Sequence, residues 1–141
     1  MEWFREYLCF MAVVSGEVLR MTGMDATASE TMLMGPGFSF VVVRGCDGLE
    51  MIALFVAAVL AFPASRRSKI IFALSGAVSL LIVNVIRIVS LAYADTYSPG
   101  LSEQLHLDVW PGVLIIAILS CWLMWARRVI RMPGERDHAS I

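Results

Sequence analysis

The chain has 141 residues, 59% hydrophobic and only 16% charged, with a formal net charge of −1 and a mean hydropathy of +0.77. Soluble domains carry about 25% charged residues, so the composition excludes an ordinary water-soluble globule and points to a protein surrounded by lipid. The small net charge argues against a nucleic-acid partner. Three cysteines and two histidines without CxxC or HxxxH spacing argue against a zinc or haem site, so neither metal nor cofactor is expected.

The first apolar run is Trp3 to Leu19. It carries Glu17, with Arg20 one turn later, and opposite charges at that spacing neutralise each other on a helix. Glu2 and Glu6 outnumber Arg5 ahead of it, and the nearest small-residue cleavage motif, Ala26-Thr27-Ala28, is distant. The run therefore reads as a retained span over about 3–23 rather than a cleaved signal. Gly35-Pro36-Gly37 is a turn signal. Phe38 to Val43 has the β-branched and aromatic character of extended chain.

Three stronger runs follow: Leu49 to Ala64, Ile70 to Tyr93 and Val109 to Ala126. With flanking residues they predict spans over about 48–64, 69–93 and 108–126, near the ~17–25 residues a bilayer requires. A span must satisfy its own backbone hydrogen bonds, so all four are read as helices. The expected fold class is all-α, an integral membrane bundle of about four transmembrane helices in a single domain over 1–141, without internal repeats. Trp110, Trp122 and Trp125 lie near the ends of the last run, as interfacial aromatics do.

Basic residues set the orientation. Arg66, Arg67 and Lys69 follow the second span, and Arg127, Arg128, Arg131 and Arg136 follow the last. Both clusters are expected in the cytoplasm, the second on a tail over 127–141. Residues 25–48 and 94–108 then lie outside, where Asp25, Glu30, Asp47, Asp95, Glu103 and Asp108 face Arg44 alone.

Counting from those clusters brings three reactive side chains to one level. Cys46 is 20 residues before Arg66, Arg87 is 20 after Arg67, and His106 is 21 before Arg127. At about 1.5 Å per residue each is roughly 30 Å from the inner surface, one hydrocarbon thickness. A thiol, a guanidinium and an imidazole thus reach the outer face on three predicted helices.

Arg87 sits in LLIVNVIRIVSLAY. A charge deep in a span costs at least ~2.5–3.5 kcal/mol and usually marks function. The bland readings are snorkelling to the outer headgroups or a structural pair with Asp47, Glu50 or Asp95. Asn84 is one turn earlier on the same helix face, able to orient Arg87 or to join helices. His106, in SEQLHLDVW, would be an ordinary loop histidine without the other two. Cys9 and Cys121 lie within apolar runs and read as small packing residues. Cys46 instead lies between Gly45 and the Asp47-Gly48 pair. Asp47 raises a neighbouring thiol's pKa, whereas Arg87 or an imidazolium lowers it. Gly45 and Gly48 let backbone approach a substrate closely.

The order GCDGLE at a span entrance, NVIRI late in the next span, and a histidine just before the last resembles the exosortase/archaeosortase family. The resemblance covers residues 41–126. It matches a Cys-x-Gly motif at Cys46-Asp47-Gly48, an Asn-x-x-Arg motif from Asn84 to Arg87, and the histidine at His106. This chain is shorter than many members, and Asp47 stands where a small or polar residue is usual.

The resemblance implies a multi-pass plasma (inner) membrane cysteine transpeptidase with its active site on the extracytoplasmic side. Cys46, Arg87 and His106 would be catalytic, with Asn84, Gly45, Gly48, Asp47 and Glu50 supporting them or binding substrate. The partners would be the lipid bilayer and membrane-anchored proteins that carry a C-terminal sorting signal of motif, transmembrane helix and basic tail. The competing class is a non-catalytic membrane assembly subunit in which Cys46 is inert or modified. A thiol redox protein is disfavoured because no resolving cysteine lies outside.

Overall fold

A computed structural model describes residues 2–41 and 48–131. The chain is mostly helical. In order it forms α1 (Glu2–Met21), β1 (Thr27–Ser29), β2 (Met32–Gly35), β3 (Phe38–Val41), α2 (Leu49–Ala61), α3 (Arg66–Tyr97), α4 (Pro99–Gln104), a π-helical turn (Leu105–Val109) and α5 (Trp110–Arg131). Two helices, Arg66–Tyr97 and the continuous Gly100–Arg131, are long and apolar enough to cross a membrane, at 32 residues each. The 13 residues of α2 are apolar but shorter than an upright span requires.

The chain divides into two compact units, one of residues 1–48 and 82–111, the other of 49–81 and 112–141. In the first, α1 buries one stripe: Leu8, Met11, Ala12, Ser15, Gly16 and Leu19. That i, i+3, i+4 spacing gives a single apolar face. Ala12, Ser15 and Gly16 keep the stripe shallow, so a sheet can approach closely. A Cβ built on Gly16 would stand 3.3 Å from Cδ1 of Leu33 and 3.5 Å from Cβ of Ala28. The expected Glu17–Arg20 pair forms at 2.8 Å, and Arg20 Nε donates to the carbonyl of Ala26. α1 ends because Gly23 adopts φ +92°, which lets Met24 N–H reach the Leu19 carbonyl and Gly23 N–H the Arg20 carbonyl.

The three strands form an antiparallel sheet in the order β1-β2-β3, a departure from the all-α expectation. Leu33 pairs with Ala28 on one side and with Phe40 on the other. Leu33 and Phe38 are buried while Met32, Met34 and Val41 are exposed. β2 and β3 join through Pro36-Gly37, with Gly37 at φ +85°, so the turn read from the sequence is present. β1 and β2 escape a sequence reading. They are three and four residues of Thr, Ala, Ser, Met, Leu and Gly, too short and too poor in β-branched residues to stand out. Tyr93 of α3 donates to Thr22 Oγ1 at 2.7 Å, tying α3 to the end of α1.

The second unit is an aromatic core. Phe55, Val59, Ala64, Leu80, Ile118, Trp125 and Val129 are buried together. Phe72 stacks on Trp125 with centroids 4.8 Å apart and planes 4° from parallel, and Phe62 meets the edge of Trp122. The indoles also bond inward, Trp122 Nε1 to the Ala58 carbonyl and Trp125 Nε1 to Ser68 Oγ, both at 3.3 Å. These two tryptophans therefore pack into the core of this unit. Ser65 caps α3, accepting from the Ser68 N–H, and Lys69 Nζ caps α2 at the Leu60 carbonyl.

Candidate functional site

The site is built on the second half of α3. Asn84 and Arg87 are 1% and 5% exposed, and with Ser15 they are the buried polar side chains among the described residues. All three lie in the first unit. A guanidinium so far from water costs several kcal/mol unless bonded. Here Nη2 of Arg87 lies 3.1 Å from Nδ1 of His106. Two of the three residues expected to converge therefore meet, from elements 19 positions apart in sequence.

The contact fixes the imidazole's protons. Arginine has five N–H groups and no acceptor. Nδ1 must therefore receive the bond on its lone pair, and the neutral ring carries its proton on Nε2.

His106 reaches Arg87 from a helix rather than from a loop ahead of one. The sequence pattern predicts an outer segment up to residue 108, because the last apolar run begins at Val109. In the structure the helix runs through the proline. A proline inside a helix has no N–H and its ring collides with the carbonyl four residues back, here that of Leu107. The chain widens instead: Trp110 N–H bonds to the Leu105 carbonyl, five residues back, and Leu105–Val109 forms a π-helical turn. His106 lies in that turn.

Gly48 serves Asn84. Its φ is +74°, which disfavours any residue with a Cβ. A Cβ there would stand 3.0 Å from Cγ and 3.3 Å from Nδ2 of Asn84. Gly48, just ahead of α2, thus rests on Asn84 of the Asn-x-x-Arg turn of α3. Glu50 is exposed in the first turn of α2, within the second unit. Cys46, Gly45 and Asp47 lie outside the described residues, as do Arg44 and the tail 132–141 with Arg136 and His138. Asp95, one expected partner of Arg87, accepts a hydrogen bond from Ser102 Oγ at 2.9 Å. Ser102 gave no sequence signal, being one polar residue in a polar stretch. Among the described residues, no group of three or more His, Cys, Asp or Glu could hold a metal ion. Cys9 is half-buried and Cys121 exposed.

The arrangement offers a buried, permanently charged donor and a neutral imidazole oriented by it. The first suits a developing oxyanion and the second proton transfer. The family model described as transmembrane exosortase matches residues 8–126, most of the chain. No curated protein and no solved structure matches.

Proposed function

The chain belongs to the transmembrane exosortase family, and on that premise we propose that it is a membrane-embedded cysteine peptidase and transpeptidase. It cleaves a C-terminal sorting signal from exported proteins. The observation that carries this reading is the buried Arg87–His106 contact, formed by the two described residues of the family's expected trio. Chain connectivity supports Cys46 as the third. It is two residues from Gly48, and two extended residues reach about 7 Å at most. Gly48 in turn rests on Asn84, one turn from Arg87.

In the proposed reaction the Cys46 thiol gives its proton to Nδ1 of His106, and the thiolate attacks the scissile carbonyl. A new carbon–sulfur bond forms and the carbonyl oxygen gains negative charge. Nδ1 can take the proton only after Arg87 Nη2 leaves it. The scissile carbonyl oxygen supplies the reason for that move: it accepts from Nη2 as the substrate binds, and the bond strengthens as that oxygen gains negative charge. An imidazolium beside a guanidinium is disfavoured, so the proton passes on to the leaving amine as the C–N bond breaks. A thioester on Cys46 remains. An amine acceptor completes transpeptidation, or water completes hydrolysis, and the released fragment is the substrate's helix and basic tail.

The membrane arrangement belongs to the same proposal. The chain crosses four times, α2 doing so together with its flanking residues, with Arg66, Arg67 and Lys69 in the cytoplasm and Arg87 about 30 Å away at the outer face, 20 residues beyond Arg67 on α3.

The test is Cys46→Ala, alone and beside Cys46→Ser, with a membrane-anchored substrate carrying a sorting signal. Both variants should insert normally and abolish the substrate's mass shift. Wild type should yield a thioester that hydroxylamine releases. Normal processing by Cys46→Ala would give the subunit reading its place.

A further inference from the structure

The helices that carry Arg87 and His106 meet at a corner of one residue. α3 ends at Tyr97, Ser98 is extended at φ −160° and ψ 107°, and α4 begins at Pro99. A single extended residue does little to fix the angle between two helices. Close to the corner, Ser102 Oγ of α4 donates to Asp95 Oδ1 of α3 at 2.9 Å, and both side chains are half-buried. The turn between β2 and β3 abuts α3 beside this bond: a Cβ on Gly37 would meet Thr96 Cγ2 at 3.4 Å.

We propose that Asp95 and Ser102 are positioning residues, a clasp whose hydrogen bond sets the corner angle and so holds His106 against Arg87. The proposal rests on the reading of those two residues as catalytic. The reasoning is that of a lever. Ser102 is four residues beyond Ser98 and His106 is eight, about 6 and 12 Å along the helix. A change of 1 Å at the clasp becomes about 2 Å at the imidazole. Misplacement by 1 Å can cost about 10²-fold in rate. An ionised carboxylate is a strong acceptor for this duty. Its duty here is to accept the hydroxyl, not to act on the imidazole by its charge, so an amide oxygen should serve nearly as well.

The experiment uses the full chain, with two readouts. The first is the processing rate of a membrane-anchored substrate, beside Cys46→Ala as reference. The second is the ring-nitrogen NMR signature of His106 in micelles, in a His138→Gln background that leaves one histidine in the chain. Ser102→Ala should lower the maximal rate about 10- to 100-fold with KM little changed, and turn the single Nε2–H signature into a mixture of tautomers. Ser102→Thr should restore both, and Asp95→Asn should keep most of both. A Ser102→Ala protein within twofold of wild type and with an unaltered signature would overturn the clasp. So would an Asp95→Asn protein as impaired as Ser102→Ala, because charge would then be the operative property. If Cys46→Ala still processes substrate, the catalytic reading fails, and the NMR signature alone decides whether the clasp holds His106.

Discussion

The two units of this chain stabilise their interiors by opposite means. The unit with α2 buries only apolar and aromatic groups among the described residues: Phe55, Val59, Leu80, Ile118, Trp125 and Val129, with Gly76 making room for the Phe55 ring. Its indole N–H groups are bonded to a carbonyl and a hydroxyl. The unit with α1 and the sheet buries Asn84, Arg87 and Ser15. If stability alone shaped a membrane helix, Arg87 would be the first residue to replace, since apolar packing is usually as stabilising as a buried charge. The difference teaches where to look for chemistry. One unit is packed as a support, and the other accepts the cost of a buried guanidinium to keep it oriented against an imidazole.

The comparison breaks most decisively at Arg87. Arg87→Lys keeps a positive charge and much of the volume, but loses the planar fork of donors and can shed its charge when desolvated. Losing one oxyanion donor typically costs about 10²–10³ in rate, so processing should fall by at least that much while the protein still inserts. Rates of gel-shifted product from purified protein in vesicles measure it. A lysine variant with near-normal rate would make the guanidinium a structural ion and erase the contrast between the units.

A smaller loss is expected at Pro111. Pro111→Ala restores the N–H and removes the ring, the two reasons for the π-helical turn. The turn can then tighten to a regular helix, which rotates His106 by about 100° relative to α5, one residue's worth of helix. Because the corner at Ser98 can absorb part of that rotation, the expected effect is a loss of about 10- to 100-fold in rate, within the range that misplacement produces. Alanine also favours the helix, so thermal stability should hold or rise. A slower yet no less stable protein would sharpen the assignment of the first unit to function.

Much of this was legible in the sequence, and what was not has physical causes. The long apolar blocks of α3 and α5 are unmistakable because lipid-facing helices need no polar face. That Arg87 and His106 can meet follows from counting residues at a constant rise, because each lies about 20 residues from a basic cluster at the other end of its apolar run. The Glu17–Arg20 pair and the Pro36-Gly37 turn are local, and local patterns survive folding. The strands β1 and β2 were not legible, because three or four residues hold too little pattern. Nor was the helix through Pro111: the apolar run that marks the last helix begins only at Val109, and the polar residues before it carry no apolar pattern to extend it. The Asp95–Ser102 bond depends on the angle of a corner, which composition does not encode.

The smallest effect on processing is expected in the aromatic unit, where the effect on stability should be large. Gly76 lies on α3 opposite Phe55: a Cβ there would collide with Cε1 and Cζ of its ring. The ring cannot simply turn away, because it is 1% exposed and its centroid is 5.4 Å from that of Phe72, which is itself stacked on Trp125. Gly76→Ala must therefore push α2 from α3 or force strained rotamers, at about 1–3 kcal/mol. The intrinsic helix preference of alanine over glycine returns roughly 1 kcal/mol at most, so the net change should still be a loss, read as a lower midpoint of thermal unfolding in micelles. Arg87 lies 11 residues further along α3, three turns away, and its contact with His106 is made within the other unit. Processing per folded molecule, measured below the new midpoint, should stay within about twofold of wild type, as expected for a site that shares no contacts with the substitution. A variant that unfolds earlier and turns over normally would show that the aromatic unit contributes stability alone. One that loses rate without losing stability would mean that the packing of α2 on α3 reaches Arg87 through the helix, and that the two units do not divide the labour as their interiors suggest.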